Sequence, residues 1–565
     1  MVRATDGTSA SPRRPGRLAE AALPATGALI GILLVAGPFG ATLIRSLLDA
    51  DGVEMSLGNF SALFADARFY QAVGNTMLCG AGASIGSCVL GFSLAWVVSR
   101  TDMPGRRLLE ILNLVPFFLS PYVGAISWIY LAAPNSGLLP NLMAATFGSP
   151  AFPQIYSVVG VIWVLTLFYT PYVYLFVISP MRQMDAALED AARVHGASFG
   201  YTLRHITIPL LLPALLSGAL VVFITSAGLF DVPLALAAPK GIRTVPTEIF
   251  SLVQYPSDLG RAAAFGVVVM TATVLLTLMQ RRFMDRRRFA TVTGRGYRTR
   301  PIALRPIGRL AALGLETIYI GGGVVLPIVA LLMVSFSSIW TGQVRTATLT
   351  LHNYEYVAFG YRLTQQAILN SLLLALVGAT LGVAIAVLQA YYLNRGRGKA
   401  RSLVDVVLSL PLGIPGIILG LGFLILAIRT PLYGTLTIIL IAYIARFFPF
   451  ATRTVSAMLL AINPELEQSA RASGASWLQT MRHVLLPLLL PAIIAAWLML
   501  FVIFIRELGA TILLYGQGTE TISVVLVILS EHGSAYVAAL AIIQLVMLLG
   551  AFLLFRATRA SLDQA

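Results

Sequence analysis

Residues 189–214 read EDAARVHGASFGYTLRHITIPLLLPA, and 278 positions later residues 467–492 read EQSARASGASWLQTMRHVLLPLLLPA, identical at 15 of 26 positions. Each copy is a short polar island between long apolar runs, so one surface is presented twice. Outward from the islands, apolar runs long enough to cross ~30 Å of hydrocarbon at 1.5 Å per residue predict twelve helical spans. The first six lie near 22–47, 73–99, 108–132, 156–180, 210–236 and 262–280, the second six near 312–336, 367–394, 403–428, 434–458, 488–514 and 534–556. A chain of 565 residues that is 58% hydrophobic and 11% charged fits this all-α polytopic membrane class, not a soluble core.

The net charge of +15 raises the question of nucleic acid. Its distribution answers it. With the N-terminus inside, 28 of the 39 Lys and Arg fall in cytoplasmic segments and eight in external ones; Arg446, Arg453 and Arg506 lie in or beside spans. That asymmetry is the positive-inside pattern, so the basicity encodes topology, places both termini in the cytoplasm and gives no reason to expect a nucleic-acid partner. The apolar run from Ala21 to Leu47 is longer than the core of a signal peptide and reads as a retained first span. Cys79 and Cys88, nine residues apart in the second span, point about 180° apart on a helix and read as small buried hydrophobes.

Similarity between the halves extends beyond the islands. Gln71, Ala72, Asn75, Arg100 and Pro116 match Gln366, Ala367, Asn370, Arg395 and Pro411 at an offset of 295, which falls to 278 by Glu189 and Glu467. The 17 extra residues of the first half fit the external stretch LAAPNSGLLPNLMAATFGSPAFPQ. The chain therefore divides into an N-terminal tail (1–21), a first half (22–280), a basic cytoplasmic linker suited to anionic lipid (281–310) and a second half (311–565). Because each half begins and ends inside, the two six-helix halves are parallel repeats.

Within each island, Asp185 and Asn463 are N-cap residues, with Pro464 at the first helical position of the second copy. Glu189 with Arg193, and Glu467 with Arg471, are acid-then-base pairs four apart. Gly196 and Gly474 supply the backbone freedom that ends each helix. Ser198 and Ser476 cap a second short helix before Pro209 and Pro487 begin the next span, giving a helix-turn-helix outside the bilayer. An interfacial anchor would also fit such a loop, but two matched surfaces on one face suit two copies of one protein.

This pattern resembles the "EAA" loop of ABC importer permeases: Glu, small residues, Gly seven positions on and a distal Pro. Glu189, Ala192, Gly196 and Pro209 fit it, as do Glu467, Ala470, Gly474 and Pro487; Asp190 and Gln468 depart from the second motif position, which is Ala in the family. The resemblance implies the type I importer fold in a fused two-half permease subunit. It also implies two cytoplasmic ATPase copies seated on the loops as coupling helices, an extracytoplasmic solute-binding protein, and a bacterial inner-membrane location. ATP and Mg would then belong to the ATPase, leaving this chain without a cofactor and non-catalytic. Consistent with that, neither of the two lysines completes a phosphate-binding loop: Lys240 follows Pro239, and Lys399, although after Gly398, has Leu393 where the upstream Gly is required.

Charges inside spans mark cavities or partners. The candidates for a transport path are Asp231, Arg446, Arg453, Arg506 and Glu507, with Arg446 and Arg453 seven apart on one face; mutual neutralisation is the alternative role. Pro116, Pro121, Pro411 and Pro415 predict kinks at matching places. The five histidines form no metal-ligand spacing. The segments RELGATILLYGQGTETISVVL (506–526) and SRTDMPGRR (99–107) are most similar to the ferric-iron permease group. Thiamine, polyamine, sulfate and phosphonate permeases share the coupling loop, and a gradient-driven secondary transporter is the competing class.

Overall fold

The computed structural model describes residues 16–49, 52–149, 152–286, 303–343, 349–396 and 401–562. Among them, ten helices are long and apolar enough to cross a membrane, and two bent pairs bring the number of spans to twelve. In the first half the spans are Gly16–Ser46, Ala67–Arg100, the pair Arg106–Phe118 and Pro121–Ala132, Val158–Gln183, Phe199–Ala227 and Leu259–Arg286. In the second they are Pro306–Ser335, Arg362–Arg395, the pair Arg401–Leu412 and Gly416–Ala427, Leu436–Ala461, Trp477–Ile505 and Ser534–Leu562.

The structure corrects the expected spans in three ways. The third and ninth are not single kinked helices but limbs bent by 98° and 103°. Proline causes this: it lacks an N–H, and it excludes the preceding residue from helical geometry, so Ser120 before Pro121 is extended at φ −67°, ψ 130°. The fifth and eleventh helices stop at Ala227 and Ile505, well short of 236 and 514. Finally, the second short helix of each island is not separate; it runs through a π-turn, Leu203–Thr207 or Met481–Leu485, straight into the next span.

The extra residues of the first half lie where expected. Between the limb ending at Ala132 and the helix starting at Val158 the chain adds a short apolar helix, Leu138–Phe147, whereas the second half passes from Ala427 to Leu436 through a short run of turns. Most of the linker, residues 287–302, lies outside the described residues, but its flanking helices reach Arg286 and begin again at Pro306.

Each half has a core of its second, fourth and fifth spans. Close approach needs small residues, since lipid supplies no hydrophobic force between helices: a Cβ at Gly91 would stand 2.9 Å from Val173 Cβ and 3.0 Å from the Tyr174 backbone N. The first spans are exchanged. Gly16–Ser46 packs on the eighth span and ninth-span limbs of the other half, and Pro306–Ser335 packs on the limb Pro121–Ala132. Matched asparagines pin the ends: Asn59 donates to the carbonyls of Ser46 and Leu48, and Asn353 to those of Ser335 and Ser337. Asp102, in the loop 99–107, joins the halves by accepting from Leu304 N at 3.0 Å and Arg309 Nη2 at 3.1 Å. Those bonds, the backbone one foremost, hold its carboxyl below the usual range.

Candidate functional site: two repeat helices and a central cavity

The islands form two helices, Ala186–Val194 and Pro464–Ala472, built alike. Asp185 Oδ1 accepts from Ala187 N at 2.9 Å and Asn463 Oδ1 from Glu465 N at 3.0 Å, so both N-caps are as expected. At the other end Gly196 and Gly474 take φ +82° and +92°, and Ala197 N and Ala475 N reach back to the carbonyls of Ala192 and Ala470. Only glycine takes this left-handed turn without strain. Ser198 and Ser476 then cap the following turn, each at 3.3 Å.

The motif glutamates do not point outward. Glu189 is 4% exposed and accepts from Thr207 Oγ1 at 2.8 Å. Glu467 is held by the Tyr391 hydroxyl and lies 3.7 Å from Arg395 Nε. Both glutamates therefore pair to the bundle; the side chain of Arg193 lies outside the described residues. Position 189 falls on the inward face of an amphipathic helix, next to the end of the second span.

That span ends in the residue that completes the arrangement. Arg100, 3% exposed, donates to the Met184 carbonyl at 3.1 Å and lies within electrostatic reach of Glu189 and Asp185. Arg395 donates to the equivalent carbonyl, Ile462, at 2.8 Å. Aromatic pairs repeat too, Trp96 on Phe199 and Tyr391 on Trp477. Where Thr207 bonds Glu189 in the first half, Leu485 stands in the second, and Tyr391 supplies the hydroxyl that Trp96 lacks. Each repeat helix is thus locked onto its bundle by a carboxylate and an arginine. The repeat had matched Arg100 with Arg395, but only the fold shows what they grip. Ala192 and Ala470 are half-buried under the helices, while Leu188, Leu466 and Val194 are exposed.

Four of the five candidate path residues meet in a cavity of about 150 Å³ between the halves: Asp231, Arg446, Arg506 and Glu507. The bends put them there. Pro116, Pro121, Pro411 and Pro415 all line it, and a broken helix leaves carbonyls without intrahelical donors. Arg506 Nη1 takes two of these, Phe117 O at 2.8 Å and Leu119 O at 3.1 Å, and its guanidinium sits over the Phe117 ring. Arg446 Nη1 pairs with Glu507 Oε1, which also accepts from Ala510 N at 3.0 Å. Asp231 opens a short helix after the break at Gly228, is 6% exposed, and among the described residues has no salt-bridge partner within 4.0 Å. Tyr169, Tyr172 and Phe117 add an aromatic wall that charge counting in the sequence missed. Arg453 is not part of the cavity: it turns to Asp405 at 2.8 Å and Ser409 at 2.6 Å, because one helical face spans two layers of the bundle.

The site is asymmetric. Arg506 has Gly228 as its first-half counterpart, and a Cβ there would lie 3.3 Å from Pro415. One flank closes by apolar contact, the other by Arg506 on bared carbonyls. Packing at Arg446 is tighter still, since a Cβ at Gly416 would fall 1.8 Å from its Nη1. Gly416→Ala is therefore expected to push the guanidinium off Glu507 and cost roughly 3 kcal/mol, the order found for breaking a buried pair. Thermal unfolding in detergent should show a clear drop in midpoint for Gly416→Ala and none for Gly40→Ala, whose Cβ would meet nothing within 4 Å.

Comparison with known proteins bears on this architecture. A family model described as "Binding-protein-dependent transport system inner membrane component" matches residues 87–289 and again 378–563, one copy per half. A putative ferric transport system permease protein FbpB 1 of Haemophilus influenzae is 24% identical over 477 residues, covering 83% of this chain and 74% of the relative. The ferric transport system permease protein FbpB of Actinobacillus pleuropneumoniae is 24% identical over 494 residues, 86% of this chain and 71% of the relative. A putative 2-aminoethylphosphonate transport system permease protein PhnV of Salmonella paratyphi A is 31% identical over 231 residues, 40% of this chain and 86% of the relative. Two matched six-span halves, a repeated helix locked to each and a cavity between them are the body plan of a fused permease, and the chain belongs to the binding-protein-dependent transport system inner membrane component family.

Proposed function

We propose that the chain carries ferric iron across a bacterial inner membrane. The ion would pass from an extracytoplasmic binding protein to the cytoplasm, with two copies of a separate ATPase docked on helices Ala186–Val194 and Pro464–Ala472. The carrying observation is the pair of equivalent repeat helices, each fixed to a different half by its glutamate and the arginine ending the second span. A force applied to either helix reaches that span without slack, and the cavity lies between the two halves so driven. Both termini and both helices lie on the cytoplasmic side by the positive-inside asymmetry. ATP and Mg belong to the ATPase, and this subunit is non-catalytic. Iron is favoured by the full-length relatives named for ferric transport. The two arginines at the cavity keep 2-aminoethylphosphonate as the second reading, in line with the half-length relatives.

Copurification with the ATPase subunit should yield a complex of one permease chain to two ATPase copies by native mass spectrometry. In proteoliposomes, uptake of radioactive ferric iron should require the loaded binding protein and resist excess 2-aminoethylphosphonate. Labelled phosphonate uptake without iron uptake would reverse the choice of cargo.

A further inference from the structure

A second buried polar cluster lies on the seam between the halves, away from the central cavity. Glu316, in the seventh span and about 15 Å along the helix from Pro306, is 1% exposed. Across the seam fully buried Asn113 donates from Nδ2 to Glu316 Oε1 at 3.4 Å. Two atoms of this pair have no partner, Glu316 Oε2 and Asn113 Oδ1. Both are acceptors when the carboxyl is ionised, so a carboxylate leaves two lone-pair-bearing oxygens unsatisfied in a dry place.

Nothing nearby offsets a negative charge there. Among the described residues no Arg, Lys or His lies within 4.0 Å of Glu316. The titratable groups facing the cluster are Tyr174, whose hydroxyl faces the Asn113 side chain without a hydrogen bond of ordinary geometry, and Tyr319, whose hydroxyl donates to Asn113 O at 3.3 Å. The second span packs on this region with Trp96 and Val97. Glu110 and Arg182, on the flank near Tyr174, pair with each other at 2.7 Å.

The opposite seam shows what a neutral version looks like. Spans one and seven align at an offset of 289, set by Pro38 with Pro327 and by Ser46 with Ser335, so the counterpart of Glu316 is Gly27. Those of Asn113 and Tyr174 are Leu408 and Thr452. There the neutral amide of Gln389 donates to Gly27 O at 3.1 Å and accepts from Thr452 at 2.8 Å. That amide has both its oxygen and its nitrogen partnered without any ionisable group.

We propose that Glu316 is a proton-binding site: a neutral acid whose Oε2–H donates to Asn113 Oδ1 while Asn113 Nδ2 donates to Oε1. One proton taken from water satisfies both orphaned acceptors and closes a two-bond acid–amide pair across the seam. No charge enters the membrane, and the proton returns to water only when the seam opens. The test is infrared spectroscopy of the full chain in lipid nanodiscs at neutral pH. Subtracting Glu316→Gln from wild type should reveal the C=O stretch of a protonated carboxyl, whereas Glu110→Gln should remove carboxylate bands only. Loss of carboxylate bands alone in Glu316→Gln overturns the proposal. Asn113→Ala keeps Glu316 and supplies an independent arm: the protonated band should persist and shift to higher frequency as its hydrogen bond is lost. An unmoved band, or no such band, also overturns it.

Discussion

Glu467→Arg is expected to abolish coupled uptake while the chain still inserts in the membrane. Glu467 lies against Arg395 and the Tyr391 hydroxyl with 12% of its side chain exposed. Placing a second guanidinium there leaves Arg395 facing a like charge, and breaking such a pair costs roughly 3–5 kcal/mol. At 1.4 kcal/mol per tenfold, the seated population of the repeat helix falls about 100- to 4000-fold. Glu467→Gln keeps an acceptor for Tyr391 and loses only the charge, so a milder loss of roughly tenfold is expected. ATPase-coupled uptake in proteoliposomes reads both. Because the carboxylate faces the bundle, Glu467→Arg combined with Arg395→Glu should restore part of the activity. No rescue would mean that Glu467 acts through direct contact with the partner ATPase.

The second large effect is expected at Arg506. Its two hydrogen bonds to the Phe117 and Leu119 carbonyls cross from one half to the other at the bend of the third span. Hydrogen bonds to charged groups are worth about 1.5–3 kcal/mol each, so Arg506→Ala removes roughly 3 kcal/mol or more from the closed arrangement. A contact present in one state only shifts the equilibrium by its full value, here about 100-fold toward open. Basal ATP hydrolysis without binding protein should rise at least about tenfold, and uptake per ATP should fall. Arg506→Lys keeps the charge but not the fork that reaches two carbonyls, so it should lie between wild type and Ala. Unchanged basal hydrolysis in both variants would remove Arg506 from gating.

Much of this architecture is legible in the sequence because lipid imposes a simple rule: the backbone must satisfy itself within each span. Length and apolarity therefore place the spans, and duplication pairs them, down to the short helix added between Ala132 and Val158. Proline positions indicate where helices fail but not by how much, and bends near 100° became visible only with Ser120 and its neighbours in place. The ends of the fifth and eleventh helices were missed because Asp231 and Arg506 are embedded in apolar sequence, while the breaks beside them depend on the cavity they face. At the repeat helices, spacing favoured local pairs such as Glu467 with Arg471. Burial adds distant ones, Arg395 and Tyr391, and Arg395 is itself held by the Leu459 and Ile462 carbonyls. Arg446 and Arg453 share a face in sequence yet serve different layers, one at the cavity and one at Asp405.

The chain, on the proposal above, is a passive pathway driven from outside itself. Uptake of ferric iron into liposomes holding the purified chain, alone or with its ATPase subunit and loaded binding protein, tests it most directly. Uptake is expected only with ATPase, ATP and binding protein together, unchanged when the proton gradient is collapsed. Uptake by the chain alone that disappears with the proton gradient would contradict it.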